Sequence, residues 1–316
     1  MMQEEKTTTF SVIIPLYNKE REIEATIRSV LAQTHQPKEI VIVNDGSTDN
    51  SAEVVRNINS PLIRLIDQPN AGVCAARNRA MEEATGSHMA FIDADDQWKE
   101  GFLEEISALI DEFPECGLYC TSFMVVSDEG LHRAKCPEMR GVVENFFRES
   151  VNNYIAIPSA SVVPRVVIDD VGGFPEGMKL GEDLYLWIKI ARKYSVCFSP
   201  KPLMLYMKEA SNRSAAIYKP EQTAYSFEDL FNPADTETAF WQNEFLARCA
   251  IGKALTVTAK GDTEFGLRTE RFFSYTRHYR LGLWKLRIFN RIPRSLRLPL
   301  HNFYNRLAWL LARKGL

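Results

Sequence analysis

The sequence predicts an α/β protein built on a doubly wound, mainly parallel sheet. Four apolar, β-rich runs follow one another early in the chain, at residues 10–17, 39–45, 62–67 and 88–95. Each run is apolar nearly throughout, as expected of parallel strands that are buried on both faces. Because helical patterns separate the runs, strand and helix alternate, and the loops at the strand carboxyl ends should gather the ligand.

Helix signals lie between these runs. A first helix is predicted after Asn18 as its N-cap, Ser47 or Thr48 can cap a second, and a third covers 71–85 before Gly86. The first helix presents an apolar stripe at positions i, i+4, i+7 and i+8, formed by Ile23, Ile27, Val30 and Leu31.

The second half of the chain continues with mixed elements. Strands are predicted at 117–128, 158–165 and 196–207, and a helix at 183–194. The polar, proline-interrupted stretch 209–238 predicts a lid followed by a linker. From Phe240 onward the pattern is helical and increasingly basic. We therefore predict a catalytic domain over 1–235 and a basic, amphipathic helical region over 236–316.

Composition restricts the class of protein. At 316 residues, 45% apolar and 25% charged, the chain suits one large globular domain plus an appendage. The six cysteines form no CxxC pair, so they are predicted to be reduced, mostly buried thiols. The acidic N-terminus lacks an apolar segment, and no run of about 18 apolar residues occurs. We expect a cytoplasmic protein with a membrane surface as its only plausible lipid contact.

Three carboxylates crowd the end of the fourth apolar run, in Asp93-Ala94-Asp95-Asp96. In an extended segment Asp93 and Asp95 point the same way and can converge on one cation. Mg²⁺ and Mn²⁺ prefer such oxygens, and Mg²⁺ typically combines one or two carboxylates with substrate phosphates. The alternative is an acidic turn that caps the helix near Lys99. The repulsion among three acids favours the metal site.

The second apolar run ends in Asn44-Asp45-Gly46-Ser47-Thr48-Asp49. Asp45 can accept a hydrogen bond from a base N–H, and Gly46 permits a tight turn. Ordinary turn and capping chemistry explains this segment equally well. Neither GxGxxG after a strand nor GxxxxGK[ST] occurs, so the nucleotide must be held by another scheme.

Four segments taken together resemble the family 2 glycosyltransferases with the GT-A fold. They are FSVIIPLYNKE, EIVIVNDGSTD, NAGVCAARNRAMEEATGSHMAFIDADD and GEDLYLWIKIAR, and the resemblance covers roughly residues 9–210. It implies a GT-A type, Rossmann-like sheet flanked by helices. It also implies an inverting enzyme that moves a sugar from a nucleotide-diphosphate donor, most simply a UDP-sugar, to an acceptor hydroxyl with Mn²⁺ or Mg²⁺.

The resemblance also implies roles for individual residues. Asp93 would approach the ribose, Asp95 would ligate the metal that bridges the diphosphate, and Arg77 would lie near the nucleotide, a helix-surface salt bridge being its alternative. Ala94 lies between the two acids in the same donor-binding turn. The nucleobase would be cradled by Pro15, Leu16, Tyr17 and Asp45.

Glu182 and Asp183 open the predicted helix 183–194, and the family pattern places its catalytic base in this pair. Inverting transfer needs one carboxylate to take the acceptor proton, and we assign that role to Asp183 with Glu182 as a residue that contacts the acceptor. Acids in the first turn of a helix are also stabilised by the helix dipole, which is the competing structural explanation.

Two departures from the family pattern narrow the reaction. The QxxRW signature of polymerising members is replaced by LWIKIARKYSVCF, which argues against processive synthesis. Many relatives carry a lid histidine, whereas this chain reads EASNRSA, where Arg213 can meet phosphates but cannot ligate a metal. A solvated loop arginine is the alternative for Arg213.

The C-terminal region mixes basic, aromatic and aliphatic residues. Residues 268–316 carry twelve Lys or Arg and the single acid Glu270, with Pro293 and Pro299 dividing the region into shorter helices. This pattern favours a helix lying on anionic lipid at the inner face of the plasma membrane. The alternatives are packing on the catalytic domain and nucleic-acid binding, for which no module is present.

The predicted reaction is thus sugar transfer to a carbohydrate or lipid-linked glycan acceptor, in cell-surface polysaccharide or glycan synthesis. Two rivals remain. A sugar-phosphate nucleotidyltransferase would want a glycine-rich, arginine-containing loop after the first strand, where this chain has IIPLYNKE. A catalytically weak scaffold or binding member of the same fold would not need intact Asp93, Asp95 and Asp183.

Overall fold

The computed structural model describes residues 8–178, 181–211 and 227–313, with side chains up to Tyr304. Its contacts divide the chain into two units, Met1–Ile217 and Tyr218–Leu316. Leu230 precedes the predicted boundary at 235 but belongs to the second unit, and its carbonyl oxygen accepts a hydrogen bond from Gln242 Nε2 at 2.7 Å. The functional domain boundary near 235 stays a prediction.

Within the described part of the first unit, ten strands form one sheet. Its main path runs β3-β2-β1-β4-β9-β6-β10-β5, with β7 paired to β6 and β8 to β10. The pairs β1–β2, β2–β3, β1–β4 and β6–β10 are parallel, and β9 is antiparallel to both of its neighbours. The strands are β1 (Phe10–Leu16), β2 (Glu39–Asp45), β3 (Ile63–Gln68), β4 (His88–Phe91), β5 (Gln97–Trp98), β6 (Cys116–Ser127), β7 (Gly130–Arg133), β8 (Gly141–Val142), β9 (Ser161–Pro164) and β10 (Ser195–Met207).

Helices flank this sheet and bury their apolar faces against it. The predicted stripe of the first helix is buried at Ile23, Ile27 and Val30, which join β1 and β2 residues in one core. All six cysteines are free, and four of them are buried. The helices of this unit are α1 (Ile23–Leu31), α2 (Ser51–Arg56), α3 (Val73–Glu83), α4 (Phe102–Glu112), α5 (Phe146–Ser150), α6 (Arg165–Val171) and α7 (Glu182–Ala191).

Two local expectations differ from the structure. The fourth strand ends at Phe91, so Asp93 and Asp95 lie in a turn and not in an extended segment. Asn18 does not cap α1, which begins at Ile23. Asn18 instead has a left-handed backbone (φ 51°) and accepts a hydrogen bond from Thr48 N at 2.7 Å, which ties the loop after β1 to the loop after β2.

The second unit is helical as far as the structure describes it. The side chains of Thr236 and Asp262 cap its first two helices, each by accepting a hydrogen bond from the backbone N–H three residues further on. Pro293 separates the last two helices, but Pro299 lies inside the last one and does not divide it, contrary to expectation. No described helix is both long and apolar enough to cross a membrane. The helices are α8 (Glu237–Lys260), α9 (Thr263–Phe272), α10 (Arg280–Arg291) and α11 (Arg294–Arg313).

Candidate active site

The candidate site lies where three neighbouring parallel strands end. β2, β1 and β4 are adjacent and parallel, so the loops that follow Asp45, Leu16 and Phe91 leave the same edge of the sheet. The loop after β1 is bonded to the loop after β2 through Asn18 N, which donates to Ser47 Oγ at 3.0 Å. The fold therefore brings the predicted nucleobase and metal segments to one edge.

Asp45 organises the loop that leads into α3. Its buried carboxylate accepts hydrogen bonds from Gln68 Nε2 at 2.7 Å and from the backbone N–H groups of Ala71 and Gly72, both at 2.8 Å. A carboxylate offers about four acceptor positions, so capacity for one further donor remains. At Gly46, with φ +69°, an added Cβ would lie 2.8 Å from the backbone N of the next loop, which requires glycine.

The predicted base-binding residues after β1 differ in what they expose. The Leu16 side chain is fully buried in the core and Pro15 is half-buried, so Leu16 can offer a ligand only its backbone. Tyr17 is 38% exposed and presents an aromatic ring at the sheet edge. Ala94 is likewise buried at 3% exposure. Of these residues, Tyr17 and, in part, Pro15 expose side chains that a nucleotide can reach, which is fewer than the sequence suggested.

The acidic turn after β4 is held from within the fold. The Thr26 hydroxyl lies 3.0 Å from Ala94 O and 2.8 Å from Asp96 O, so it fixes the turn on α1. Ser159 Oγ accepts a hydrogen bond from Asp93 N at 3.0 Å and lies 2.5 Å from Asp96 Oδ2. These contacts turn the chain out of the strand and separate the three carboxyl groups.

Asp96 plays a structural part. It is 2% exposed, and burial, followed by the charges of Asp93 and Asp95, raises its pKa well above the usual range. Its Oδ1 also accepts a hydrogen bond from Met207 N at 3.1 Å, at the end of β10. The raised pKa favours the neutral form of Asp96, which relieves part of the repulsion expected among three acids.

Asp95 is held by a lysine that the sequence analysis did not single out. Lys19 Nζ donates to Asp95 Oδ2 at 2.7 Å and also to Ser211 O, while Lys19 itself is only 9% exposed. The sequence could have pointed to Lys19 through its position, two residues after Tyr17 of the predicted base-binding loop. Asp95 therefore already pairs with one positive charge, and a metal that used the same oxygen would compete with Lys19.

Arg77 joins the acidic turn to the start of α7. Its guanidinium, which is 3% exposed, donates to Asp93 Oδ1 at 2.6 Å and to Glu182 Oε1 at 2.9 Å, and lies 5.0 Å from the ring centroid of Phe174. Burial alone would lower the pKa of Arg77, but the charges of Asp93 and Glu182 outweigh it and raise that pKa. Arg77 is thus a buried ion-pair centre, and not the helix-surface salt bridge considered from sequence.

Asp183 follows Glu182 in the first turn of α7. Burial, reinforced by the charge of Glu182, raises the pKa of Asp183 to about 7, while the positive charge of Arg77 opposes this shift. A carboxylate with a pKa near the working pH is suited to accept a proton and release it again. Gly181, at φ +89°, supplies the left-handed residue that starts the helix.

Not every predicted site residue can be placed. Arg213 and most of the predicted lid lie outside the described residues, because the description stops at Ser211 and resumes at Phe227. Among the described residues no group of three or more His, Cys, Asp and Glu side chains could hold a metal ion. A metal at this edge would therefore need ligand atoms from the substrate, as the sequence analysis predicts for a diphosphate.

The comparison with protein-family models decides the family. The model described as Glycosyl transferase family 2 matches residues 11–172, which contain β1 to β4, the acidic turn and Arg77. The chain belongs to glycosyl transferase family 2. The resemblance found in the sequence is confirmed, although Glu182 and Asp183 lie beyond the matched residues.

Curated relatives in the family match parts of the chain. "Uncharacterized glycosyltransferase YibD" of Escherichia coli is 50% identical over 93 residues, 29% of this chain and 27% of its own. "Glycosyltransferase GlyA" of Streptococcus pneumoniae is 36% identical over 202 residues, 60% of this chain and 28% of its own. "Putative teichuronic acid biosynthesis glycosyltransferase TuaG" of Bacillus subtilis is 36% identical over 123 residues, 38% and 48% of the two chains. The matches thus span between about a quarter and a half of these relatives' lengths.

Solved structures with low sequence identity share the fold. S. aureus TarS 1–349 in complex with UDP-GlcNAc superposes with a TM-score of 0.69 at 22% identity, covering 95% of this chain and 92% of TarS. The mannosyltransferase PcManGT from Pyrobaculum calidifontis, in complex with GDP-Man and Mn²⁺, gives 0.55 at 18% identity, covering 89% and 86%. The predicted GT-A type fold with C-terminal helices is confirmed.

Proposed function

We propose that this family 2 member is a metal-dependent, inverting glycosyltransferase that moves a sugar from a nucleotide-diphosphate donor to an acceptor hydroxyl. The observation that carries the proposal is the buried bridge Asp93–Arg77–Glu182. It fastens the acidic turn, which suits a metal and a diphosphate, to the helix that starts with Glu182 and Asp183. The residues proposed for donor binding are thereby joined through Arg77 to the helix that carries the candidate base.

The metal, Mn²⁺ or Mg²⁺, would be held by Asp95 with Asp93 as its neighbour. The residues fit such a group in their chemistry, since carboxylate oxygens are the ligands that these ions take, and the metal would compete with Lys19 Nζ, which lies 2.7 Å from Asp95 Oδ2. When bound, the metal would supply positive charge to the diphosphate. Lys19 is buried beside the same carboxylate, and its charge would favour the diphosphate as well.

The donor is proposed to be a nucleotide sugar, with UDP-sugar as the first candidate. Asp45 has capacity for one more donor group, which supports a hydrogen bond from a base N–H, and exposed Tyr17 would contact the base by stacking. Pro15, Leu16 and Ala94 would contribute backbone and packing contacts. TarS, with the same fold, was solved with UDP-GlcNAc, which supports this choice of base.

Asp183 is proposed as the general base. With a pKa of about 7, it can take the proton of the acceptor hydroxyl while the oxygen attacks the anomeric carbon from the side opposite the diphosphate. The bond to the diphosphate oxygen breaks as the new glycosidic bond forms, so the anomeric configuration inverts. Glu182, fixed by Arg77 at 2.9 Å, is the second candidate for contact with the acceptor.

The acceptor is proposed to be a carbohydrate or lipid-linked glycan of the cell surface, used at the inner face of the plasma membrane. The relative TuaG carries the description "Putative teichuronic acid biosynthesis", which supports a role in cell-surface glycans. The exposed apolar side chains and the many basic residues of the second unit support a position at the membrane.

The decisive experiment measures donor binding and turnover together. We expect nucleoside diphosphates and their sugars to bind more tightly with Mn²⁺ than with EDTA in calorimetric titrations, and Asp95→Asn to abolish that difference. Lys19→Gln should tighten Mn²⁺ binding in the absence of nucleotide, because it removes the cation that competes for Asp95. Arg56→Gln, at an exposed pair with Asp67, is the matched control.

The products separate this proposal from its rivals. Release of a nucleoside diphosphate from a sugar donor, with an inverted product seen by NMR, supports it. Release of pyrophosphate from a nucleoside triphosphate and a sugar phosphate would indicate a nucleotidyltransferase. Nucleotide binding without donor hydrolysis or transfer would indicate a scaffold or binding member.

A further inference from the structure

Helix α10 exposes large apolar side chains on the face that it does not bury. Leu283 and Leu286 are 3% and 0% exposed, whereas Leu281 is 76% and Trp284 is 58% exposed. Residues three apart lie side by side on a helix, so Leu281 and Trp284 form one exposed apolar stripe. Soluble monomers seldom leave adjacent residues of this size in water without a partner.

Helix α11 repeats this arrangement. Leu296, Leu300 and Phe303 are 51%, 45% and 67% exposed and follow the i, i+4, i+7 spacing of one helix face. The two helices meet where Lys285 Nζ lies 3.6 Å from the ring centroid of Tyr304, one position after Phe303. We call Leu281, Trp284, Leu296, Leu300 and Phe303 the apolar face.

Basic residues flank the part of the apolar face that α10 contributes. Residues 268–316 contain twelve Lys or Arg and one acid, Glu270, which pairs with Arg291 at 3.0 Å and lies 3.7 Å from Arg287. Arg280 and Arg287 are exposed on α10, four residues before and three residues after Trp284, so both lie beside its exposed stripe. Glu270, together with Glu228, which pairs with Arg268 at 2.8 Å, neutralises only part of this charge, so the unit presents apolar and positive groups together.

We propose that the apolar face docks on a bilayer surface rich in anionic lipid. A second copy of the chain would bury the apolar groups only by bringing two sets of positive charges together, which costs free energy. A nucleic acid would neutralise the charges but leave the leucines and Phe303 in water. An anionic bilayer accepts both, because its acyl chains take the apolar side chains and its headgroups attract the basic ones.

The test is cosedimentation of the full chain with vesicles of phosphatidylcholine alone or mixed with phosphatidylglycerol. We expect binding to the anionic vesicles that weakens but persists in high salt, because salt screens only the electrostatic part. Each basic residue near such a surface contributes about 1 kcal/mol, so Arg280→Gln with Arg287→Gln should lower partitioning about 25-fold at low salt. Leu281→Gln with Trp284→Gln should lower it at least about tenfold.

Matched variants in the first unit control for charge and apolar area in general. Leu131→Gln removes a leucine that is 56% exposed, and Arg56→Gln with Lys135→Gln removes two exposed positive charges. None of these should change partitioning, and thermal melting should show that every variant is folded. Vesicles should also shift tryptophan emission to shorter wavelength, a shift that Trp284→Phe removes while binding persists.

Three results would overturn the proposal. Equal binding to neutral and anionic vesicles would remove the charge argument. Equal losses in the apolar-face and control variants would make the effect nonspecific. Vesicle-independent burial of Trp284 that depends on protein concentration, measured by emission and sedimentation velocity, would assign the face to a second copy of the chain.

Discussion

In the first unit the charged groups of the candidate site are buried and paired, whereas in the second unit basic and large apolar side chains stand exposed side by side. Arg77 at 3% exposure binds two carboxylates, and burial raises the pKa of Asp96 well above its usual range. Leu281 and Trp284 instead face solvent at 76% and 58% exposure. We propose that the buried charges hold a reaction geometry and that the exposed apolar surface binds a bilayer.

The second unit also buries one carboxylate, and its environment sharpens the contrast. Glu244 is 1% exposed and accepts hydrogen bonds from Thr276 Oγ1 at 2.6 Å and from the N–H groups of Arg277 and His278 at 2.7 and 3.0 Å. These donors join a turn to α8. The bonds of Glu244 thus hold the second unit together, whereas those of Asp93 and Glu182 meet at a single arginine next to a candidate base.

The largest effect is expected at Asp183. Asp183→Asn should lower kcat about 10²- to 10⁴-fold and leave the Kd of the nucleoside diphosphate nearly unchanged, because the base is needed only when the acceptor attacks. In the native enzyme kcat/KM should rise with pH through about 7, as Asp183 loses its proton. Steady-state kinetics and calorimetry measure both quantities.

The control for this change is Asp169→Asn, which alters an exposed carboxylate of α6. The raised pKa of Asp183 also predicts how stability depends on pH. Asp183 keeps its proton to a higher pH in the folded state than in the unfolded state, so the native protein should lose stability relative to Asp183→Asn as the pH rises from 3.8 to about 7. If Asp183→Asn keeps more than about half of the turnover, the base lies elsewhere and the site in the first unit has been misassigned.

A second, smaller effect is expected at Arg77. Arg77→Met should lower the free energy of unfolding by about 3–5 kcal/mol, because it leaves Asp93 and Glu182 without their buried partner. Arg77→Lys should cost less, since the charge remains but the two-pronged geometry is lost. Both stabilities are measured by urea denaturation.

The pH profile distinguishes positioning from simple stability. Because the charge of Arg77 lowers the pKa of Asp183, Arg77→Met should move the midpoint of the kcat/KM profile to higher pH, whereas Arg77→Lys should move it less. Arg79→Met, at an exposed pair with Glu83 one helix turn away, should leave the midpoint in place. An unchanged midpoint in Arg77→Met would show that the buried bridge does not act on the base.

The smallest effect is expected on the apolar face of the second unit. Leu281→Gln and Trp284→Gln should each change the free energy of unfolding by no more than about 0.5 kcal/mol, since both side chains are exposed. Leu283→Ala on the buried face of the same helix should cost about 2–5 kcal/mol. Equal losses at Leu281 and Leu283, measured by urea denaturation, would contradict the contrast between the two units.

The sequence by itself determined the parallel sheet and the chain segments that meet at its edge. Apolar runs and helical stripes depend on contacts between near neighbours in the chain, so periodicity predicts them. The positions of Asp45 and the Asp93–Asp96 turn after parallel strands followed from the same reasoning. The family resemblance added the choice of Glu182 and Asp183.

Only the tertiary structure decided which charges meet. Arg77 contacts Glu182 across 105 residues, and Lys19 contacts Asp95 across 76. It also decided that Asp96 is buried and that Leu281 and Trp284 are exposed. A pattern of residue types does not encode such pairings, because they arise when packing brings distant loops and helices together and the cost of burying a charge selects the partner that neutralises it.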